Sequence, residues 1–195
     1  MREMIKMVIV VTVLASFSGG LLASVRNGTK ERIEVAQLTF VKGPAIQKIM
    51  EGSSNDPIED RFSLTINDTE MDFFVGKFDG KPKTVAFEGF GRGYGGDMGV
   101  MVGIDIEKET VHGVAVTTHA ETPGLGSLAA DDPGFVSQFK GKPLDKSVKL
   151  TQDGGLINAL GGATVTSRAV CNAAEQIVRL YEENKEQISE KTKSF

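Results

Sequence analysis

Along this chain the spacing of apolar positions changes three times, and each change marks a different kind of element. From Met7 to Val25 there is no charged residue at all, with Arg2, Glu3 and Lys6 before the run and Arg26, Lys30 and Arg32 after it. As a helix, this run covers about 28 Å, close to the hydrocarbon thickness of a bilayer. Ser16-Phe17-Ser18-Gly19-Gly20 forms a small-residue patch of the kind that lets a second helix approach closely. A retained membrane anchor is expected; the alternative is a cleaved signal peptide processed near Leu22-Ala23-Ser24. From residue 26 to 50, Ile33, Leu38, Val41, Ala45 and Ile49 recur at helical intervals, interrupted at Gly43-Pro44. This stretch reads as a helical stalk.

Beyond a polar loop over 52–60 (GSSNDPIED), the period shortens to that of strands. Phe62–Ile66, Asp72–Phe78, Thr84–Phe90, Gly99–Ile106 and Thr110–Thr118 are expected as strands, the last two joined by a tight hairpin through Glu107-Lys108-Glu109. Ser127–Phe139 suits a short helix broken near Pro133-Gly134, and Ser147–Thr151 is expected as one more strand. The helical period returns from Thr166 to about Lys193, where Val170, Ala174, Ile177 and Tyr181 share one face. The expected class is α+β: one N-terminal transmembrane helix, then a domain with a mainly antiparallel sheet and a C-terminal helix.

Composition narrows the chemistry. In 195 residues, 40% are apolar and 25% charged, which are globular proportions. A net charge of −4 without a basic cluster argues against nucleic acid as a partner. A single cysteine, Cys171, cannot by itself hold a structural zinc or an iron–sulfur cluster, and His112 and His119 are too few for a multi-histidine metal site. Any redox chemistry therefore falls to an organic cofactor. Cys171 reads as a small buried hydrophobe and His112 as structural. His119 either lines a site or is satisfied by the backbone at a strand end.

Three glycine-containing segments stand out. Gly91-Arg92-Gly93-Tyr94-Gly95-Gly96 satisfies G-x-G-x-x-G, but a strand-like run follows it where a dinucleotide fingerprint needs a helix. It is expected to link two strands, as a plain turn or as a loop whose backbone approaches a flat ligand, with Tyr94 packing on it. In His119-Ala120-Glu121-Thr122-Pro123-Gly124-Leu125-Gly126, Pro123-Gly124 favours a type II turn that presents Glu121 and Thr122. Gly161-Gly162-Ala163-Thr164-Val165-Thr166-Ser167 leads into the closing helix, whose N-terminus suits a phosphate. A Ser/Thr N-cap is the competing reading of those hydroxyls.

ETPGLG, followed some forty residues later by GGATVTS with Arg168-Ala169-Val170 behind it, resembles the FMN-binding domain of the RnfG family, the G subunits of Rnf electron-transport complexes. It is also similar to NqrC of the sodium-translocating NADH:quinone reductase. The resemblance covers nearly the whole chain. It implies a tail (1–6), a transmembrane helix (7–25), the stalk (26–50) and an FMN-binding domain (51–195). It implies FMN joined through its phosphate to Thr166, with Gly162, Ala163 and Thr164 around the linkage and Glu121, Thr122, Gly124 and Leu125 contacting the cofactor. No catalytic residue or metal ligand is implied. The implied role is electron relay between ferredoxin and NAD branches of a complex in the cytoplasmic membrane, with the FMN domain on the periplasmic side. Membrane and iron–sulfur subunits would be its neighbours, and a flavin transferase would mature it. Asn158 stands where Asp is common in such sequences, and Gly161 where Ser or Thr is common. Those departures keep a second reading open, that of a membrane-tethered scaffold subunit whose flavin site has decayed.

Overall fold

The computed structural model describes residues 1–30, 32–33 and 35–195, in two compact units, Met1–Thr39 and Phe40–Phe195. The first unit is one helix, α1 (Arg2–Gln37). Within it, Arg2–Lys30 is long and apolar enough to cross a membrane, its most apolar 18-residue stretch having a mean hydropathy of 2.2. Large apolar side chains such as Ile5, Leu14, Phe17 and Leu22 are exposed along it. The small residues Ser16 to Gly20 do not interrupt the helix.

In the second unit, a π-turn ending at Lys42 gives way to α2 (Gly43–Ile49), whose Pro44 stands in the first turn, where its missing N–H costs nothing. Five strands follow: β1 (Arg61–Ile66), β2 (Thr69–Phe78), β3 (Lys81–Arg92), β4 (Asp97–Asp105) and β5 (Thr110–Thr118). They pair antiparallel in sequence order, as a meander. Asn67 and Asp68, then Asp79 and Gly80, take positive φ between β1, β2 and β3, as two-residue hairpin turns require. At the β4–β5 hairpin the Asp105 carboxylate accepts the N–H groups of Glu107 and Lys108, and Glu109 takes positive φ.

The sheet is covered on both faces, which is why β4 is buried along nearly its full length. Phe73, Val85, Phe87, Val100, Val102 and Ile104 form the core with α5 (Thr164–Glu183), which contributes Val170, Ala174, Ile177 and Tyr181. On the other face, Ala45, Ile46, Ile49 and Met50 of the α2 segment are buried, and Ile49 fits against Gly103 and Gly113. The last residues of the expected stalk thus belong to the core of this unit.

Three details differ from the sequence reading. Ser147–Thr151 is not a strand. Leu150 makes a single bridge to Ile157, because a 3-10 turn at Thr151–Asp153 and Gly154 (φ 85°) folds the chain back before a ladder can form. The expected short helix is two, α3 (Leu128–Asp131) and α4 (Pro133–Ser137), with Asp132 capping the second by accepting the Gly134 N–H. The closing helix begins two residues earlier, at Thr164, and breaks at Asn184 before α6 (Lys185–Lys193).

Candidate functional site

The GRGYGG segment is the β3–β4 hairpin connection, closed by the Gly93 N–H on the Gly96 carbonyl. No helix follows it, so the dinucleotide arrangement is absent, as the sequence context required. Its glycines make room for a side chain of the protein itself. The Gly95 N–H donates to Glu121 Oε1 at 2.9 Å. A Cβ on Gly93 would collide with the same carboxylate oxygen, and one on Gly95 with the Ala120 carbonyl.

Glu121 itself leaves the end of β5 and turns inward, 6% exposed. Behind it the chain makes the expected type II turn: the Leu125 N–H donates to the Thr122 carbonyl at 3.2 Å, with Pro123 second and Gly124 (φ 72°) third. Ser127 Oγ accepts the Gly124 N–H and steadies the turn. His119 Nδ1 accepts the Glu121 N–H at 3.3 Å from an exposed side chain, so the backbone-satisfied reading holds for this histidine.

The second segment meets the first at the start of α5. Ala163, not a hydroxyl residue, occupies the N-cap position and makes no side-chain cap. The Ser/Thr N-cap reading is therefore overturned: Thr164, Thr166 and Ser167 all lie inside the helix, and the two buried hydroxyls are used elsewhere. Ser167 donates to the Ala163 carbonyl at 2.9 Å and accepts the Leu160 N–H at 3.0 Å. Thr166 Oγ1 donates to Glu121 Oε2 at 2.5 Å, joining the two segments across the cavity floor. Among the described residues, the N–H groups of Thr164, Val165 and Thr166 find no acceptor. That leaves a 20-residue helix with three free donors and its dipole aimed at one spot.

Above that spot lies a cavity of about 440 Å³, lined by Tyr94, Glu121, Thr122, Leu125, Gly126 and the run from Gly162 to Thr166. Thr122, Leu125, Gly162, Ala163 and Thr164 thus converge with Glu121 and Thr166, whereas Gly124 serves the turn behind them. Leu125, Val165 and Tyr94 are exposed and give the opening apolar walls. Tyr94 lines the opening, as one of the two readings of the GRGYGG loop expects; Val165 and Gly126 were missed, and for Gly126 the ETPGLG motif itself held the signal. A Cβ there would stand 2.5 Å from Glu121 Oε2 and 3.0 Å from Thr166 Oγ1.

Charge around the site is organised from the outer side of α5. Arg168 forms a two-pronged ion pair with Asp153, 2.7 Å from Nε to Oδ2 and 3.1 Å from Nη2 to Oδ1. The Arg168 guanidinium holds the Asp153 carboxyl below its ordinary range. The pair ties the Thr151–Asp153 turn to the first turns of the helix. Asn158 and Gly161 lie just before it: Asn158 exchanges backbone hydrogen bonds with the Gln138 side chain, and Gly161 faces open space. Cys171 is buried one turn further on, and burial pushes its thiol up to about 12. His112 packs at a 48° tilt against Phe78, ring centroids 5.0 Å apart, and is not among the residues lining the cavity, a structural setting.

Set against known proteins, residues 93–179 match the family model described as FMN-binding domain, a range that contains every residue lining the cavity. The chain is 30% identical over 200 residues to the G subunit of the ion-translocating oxidoreductase complex of Pseudomonas aeruginosa, covering 96% of this chain and 92% of that one. The Shewanella baltica protein of the same name is also 30% identical, over 96% of this chain and 93% of its own length. Among solved structures, NqrC of Shewanella oneidensis superposes with a TM-score of 0.52 at 26% identity, over 71% of this chain and 72% of that one. The chain belongs to the family of ion-translocating oxidoreductase complex G subunits, the RnfG family, and carries its FMN-binding domain.

Proposed function

We propose that this chain is the membrane-anchored flavin carrier of an Rnf-type complex, with FMN held through a phosphoester on Thr166. The observation that carries this reading is the position of Thr166 Oγ1. It lies at the floor of a cavity large enough for a cofactor, beside three unpaired helix N–H groups. The residues fit the group: the free helix donors suit a phosphate, and Leu125, Val165 and Tyr94 suit a flat aromatic ring. Thr122 and the Gly162–Thr164 backbone are the polar contacts at the rim. FMN accepts electrons one or two at a time, which suits relay between ferredoxin and NAD branches. The protein's share is to hold the ring in one place and exclude a second ligand. A covalent ester also prevents loss of the cofactor from a domain outside the cytoplasm, where we place residues 51–195.

Residues 7–25 serve as the anchor, and the exposed apolar flank of α1 with its small-residue patch supports packing against membrane subunits. An iron–sulfur subunit is the electron-transfer neighbour, and a flavin transferase is the maturation partner.

The test is direct. The purified chain, from cells that contain the transferase, is denatured and run on a gel. The protein band is expected to fluoresce as a flavin and to lose that fluorescence in Thr166→Ala. A dark wild-type band would leave the scaffold reading, which the departures at Asn158 and Gly161 favour.

A further inference from the structure

We infer that Glu121 is the base that takes the hydroxyl proton of Thr166 when the flavin phosphate is attached, an inference that rests on the Thr166 reading above. A threonine hydroxyl is a weak nucleophile near neutral pH and needs an adjacent base. Glu121 Oε2 already accepts that proton's hydrogen bond at 2.5 Å, the length of a bond between a hydroxyl and a carboxylate. The other oxygen, Oε1, is fixed by the Gly95 N–H at 2.9 Å, so the carboxylate cannot swing away. Glycines on both sides leave the space it occupies: Gly93 beside Oε1, Gly126 beside Oε2 and the Thr166 oxygen.

Packing alone does not account for this arrangement. Glu121 is 6% exposed and, among the described residues, no cation pairs with it. Burying a carboxylate without a cation opposes folding, and an apolar side chain of similar size would cost less. Both ends of the loop system nevertheless converge on that one carboxylate.

The step balances. The Thr166 oxygen attacks the flavin-side phosphorus of a flavin dinucleotide, the activated donor brought with the transferase. A new O–P bond forms, the anhydride P–O bond breaks, and a nucleoside monophosphate leaves with the electron pair. The proton passes from Thr166 to Glu121 and then to water. Nothing is oxidised or reduced.

The full chain is incubated with the transferase and flavin dinucleotide, and labelling is followed by intact mass and in-gel fluorescence across a range of pH. Glu121→Gln keeps the shape and removes the base, and labelling is expected to slow by about 10²- to 10⁴-fold. Its residual rate should climb with pH as hydroxide substitutes, while the wild-type rate stays flat. Glu121→Ala, with circular dichroism confirming the fold, should regain rate when formate is added, and Thr166→Ala should not. Glu121→Gln labelled at the wild-type rate overturns the inference and leaves the Thr166 ester standing. A slow variant that neither pH nor formate relieves shows that Glu121 only shapes the cavity, and also overturns it. A wild-type chain that takes no flavin overturns both readings.

Discussion

Gly91 of β3 lies directly under Ala169 of α5, so close that a Cβ on the glycine would overlap the Ala169 carbonyl. Two residues earlier Gly89 admits Ile177 in the same way. The pair sets how deeply the helix sinks onto the sheet, and hence where Thr166 stands at its N-terminus. Gly91→Ala is expected to destabilise the domain by about 1–3 kcal/mol through overpacking. Gly161→Ala, at a glycine facing open space without positive φ, is expected to fall within about 0.5 kcal/mol of wild type. Urea denaturation of the two variants side by side checks both.

The same open space makes the two departures from the family pattern reversible. Asn158 is exposed, its side-chain Oδ1 accepts the Thr151 hydroxyl at 3.4 Å with an oxygen that Asp also carries, and nothing crowds Gly161. The double change Asn158→Asp with Gly161→Ser should leave the thermal midpoint unchanged and raise the fraction of chain carrying flavin. In-gel fluorescence at equal loading measures that fraction.

Stability should fall in two stages as the solution is acidified. Burial first, then the nearby charge of Lys140, holds His112 below its ordinary value of 6.5, against the opposing pull of Asp105. The unfolded chain therefore takes up this proton before the folded one, and stability drops as pH falls below 6.5. Asp60 and Asp153 sit below the ordinary 3.8, held by hydrogen bonds from Lys77 and Arg168 respectively. For Asp105, burial raises the carboxyl, but the bonds from Lys108 outweigh it. These carboxylates add a second loss below 3.8. His112→Phe, which keeps a ring against Phe78, should erase the first stage and leave the second, as read from thermal midpoints across pH.

Cys171 should behave as a packing residue. With the thiol pushed up to about 12 from an ordinary 9.0, the folded chain holds roughly a thousand-fold less thiolate than a free cysteine. Iodoacetamide at mildly alkaline pH should leave the native protein unlabelled and modify it rapidly once denatured. Rapid labelling of the native chain would contradict the buried placement.

The five strands and the final helix were legible from period alone, since Phe73, Val85 and Phe87 alternate inward and Val170 to Tyr181 follow the helical face. The type II turn was legible because Gly124 tolerates positive φ, and the β4–β5 hairpin from the shortness of Glu107-Lys108-Glu109; the positive-φ turns at Asn67-Asp68 and Asp79-Gly80 emerged only in the structure. Ser147–Thr151 misled because alternation over five residues says nothing about whether a neighbouring edge is free to pair. The GRGYGG loop was legible as a strand connection, yet what its glycines make room for was not: glycine marks a close approach without naming what approaches. Glu121 meets Thr166 across 45 residues of sequence, a contact no local rule contains. The N-cap reading failed for a different reason: the helix starts at Thr164, so Thr164, Thr166 and Ser167 lie inside it and the cap position falls to Ala163.

The central claim concerns a single oxygen, and peptide mass spectrometry of the chain purified from cells with its transferase tests it most directly. After proteolysis under denaturing conditions, the peptide spanning Gly161 to Arg168 should carry the mass of FMN less water, with fragmentation placing it on Thr166. The same peptide found wholly unmodified, or modified on Thr164 or Ser167 with Thr166 bare, would contradict the account.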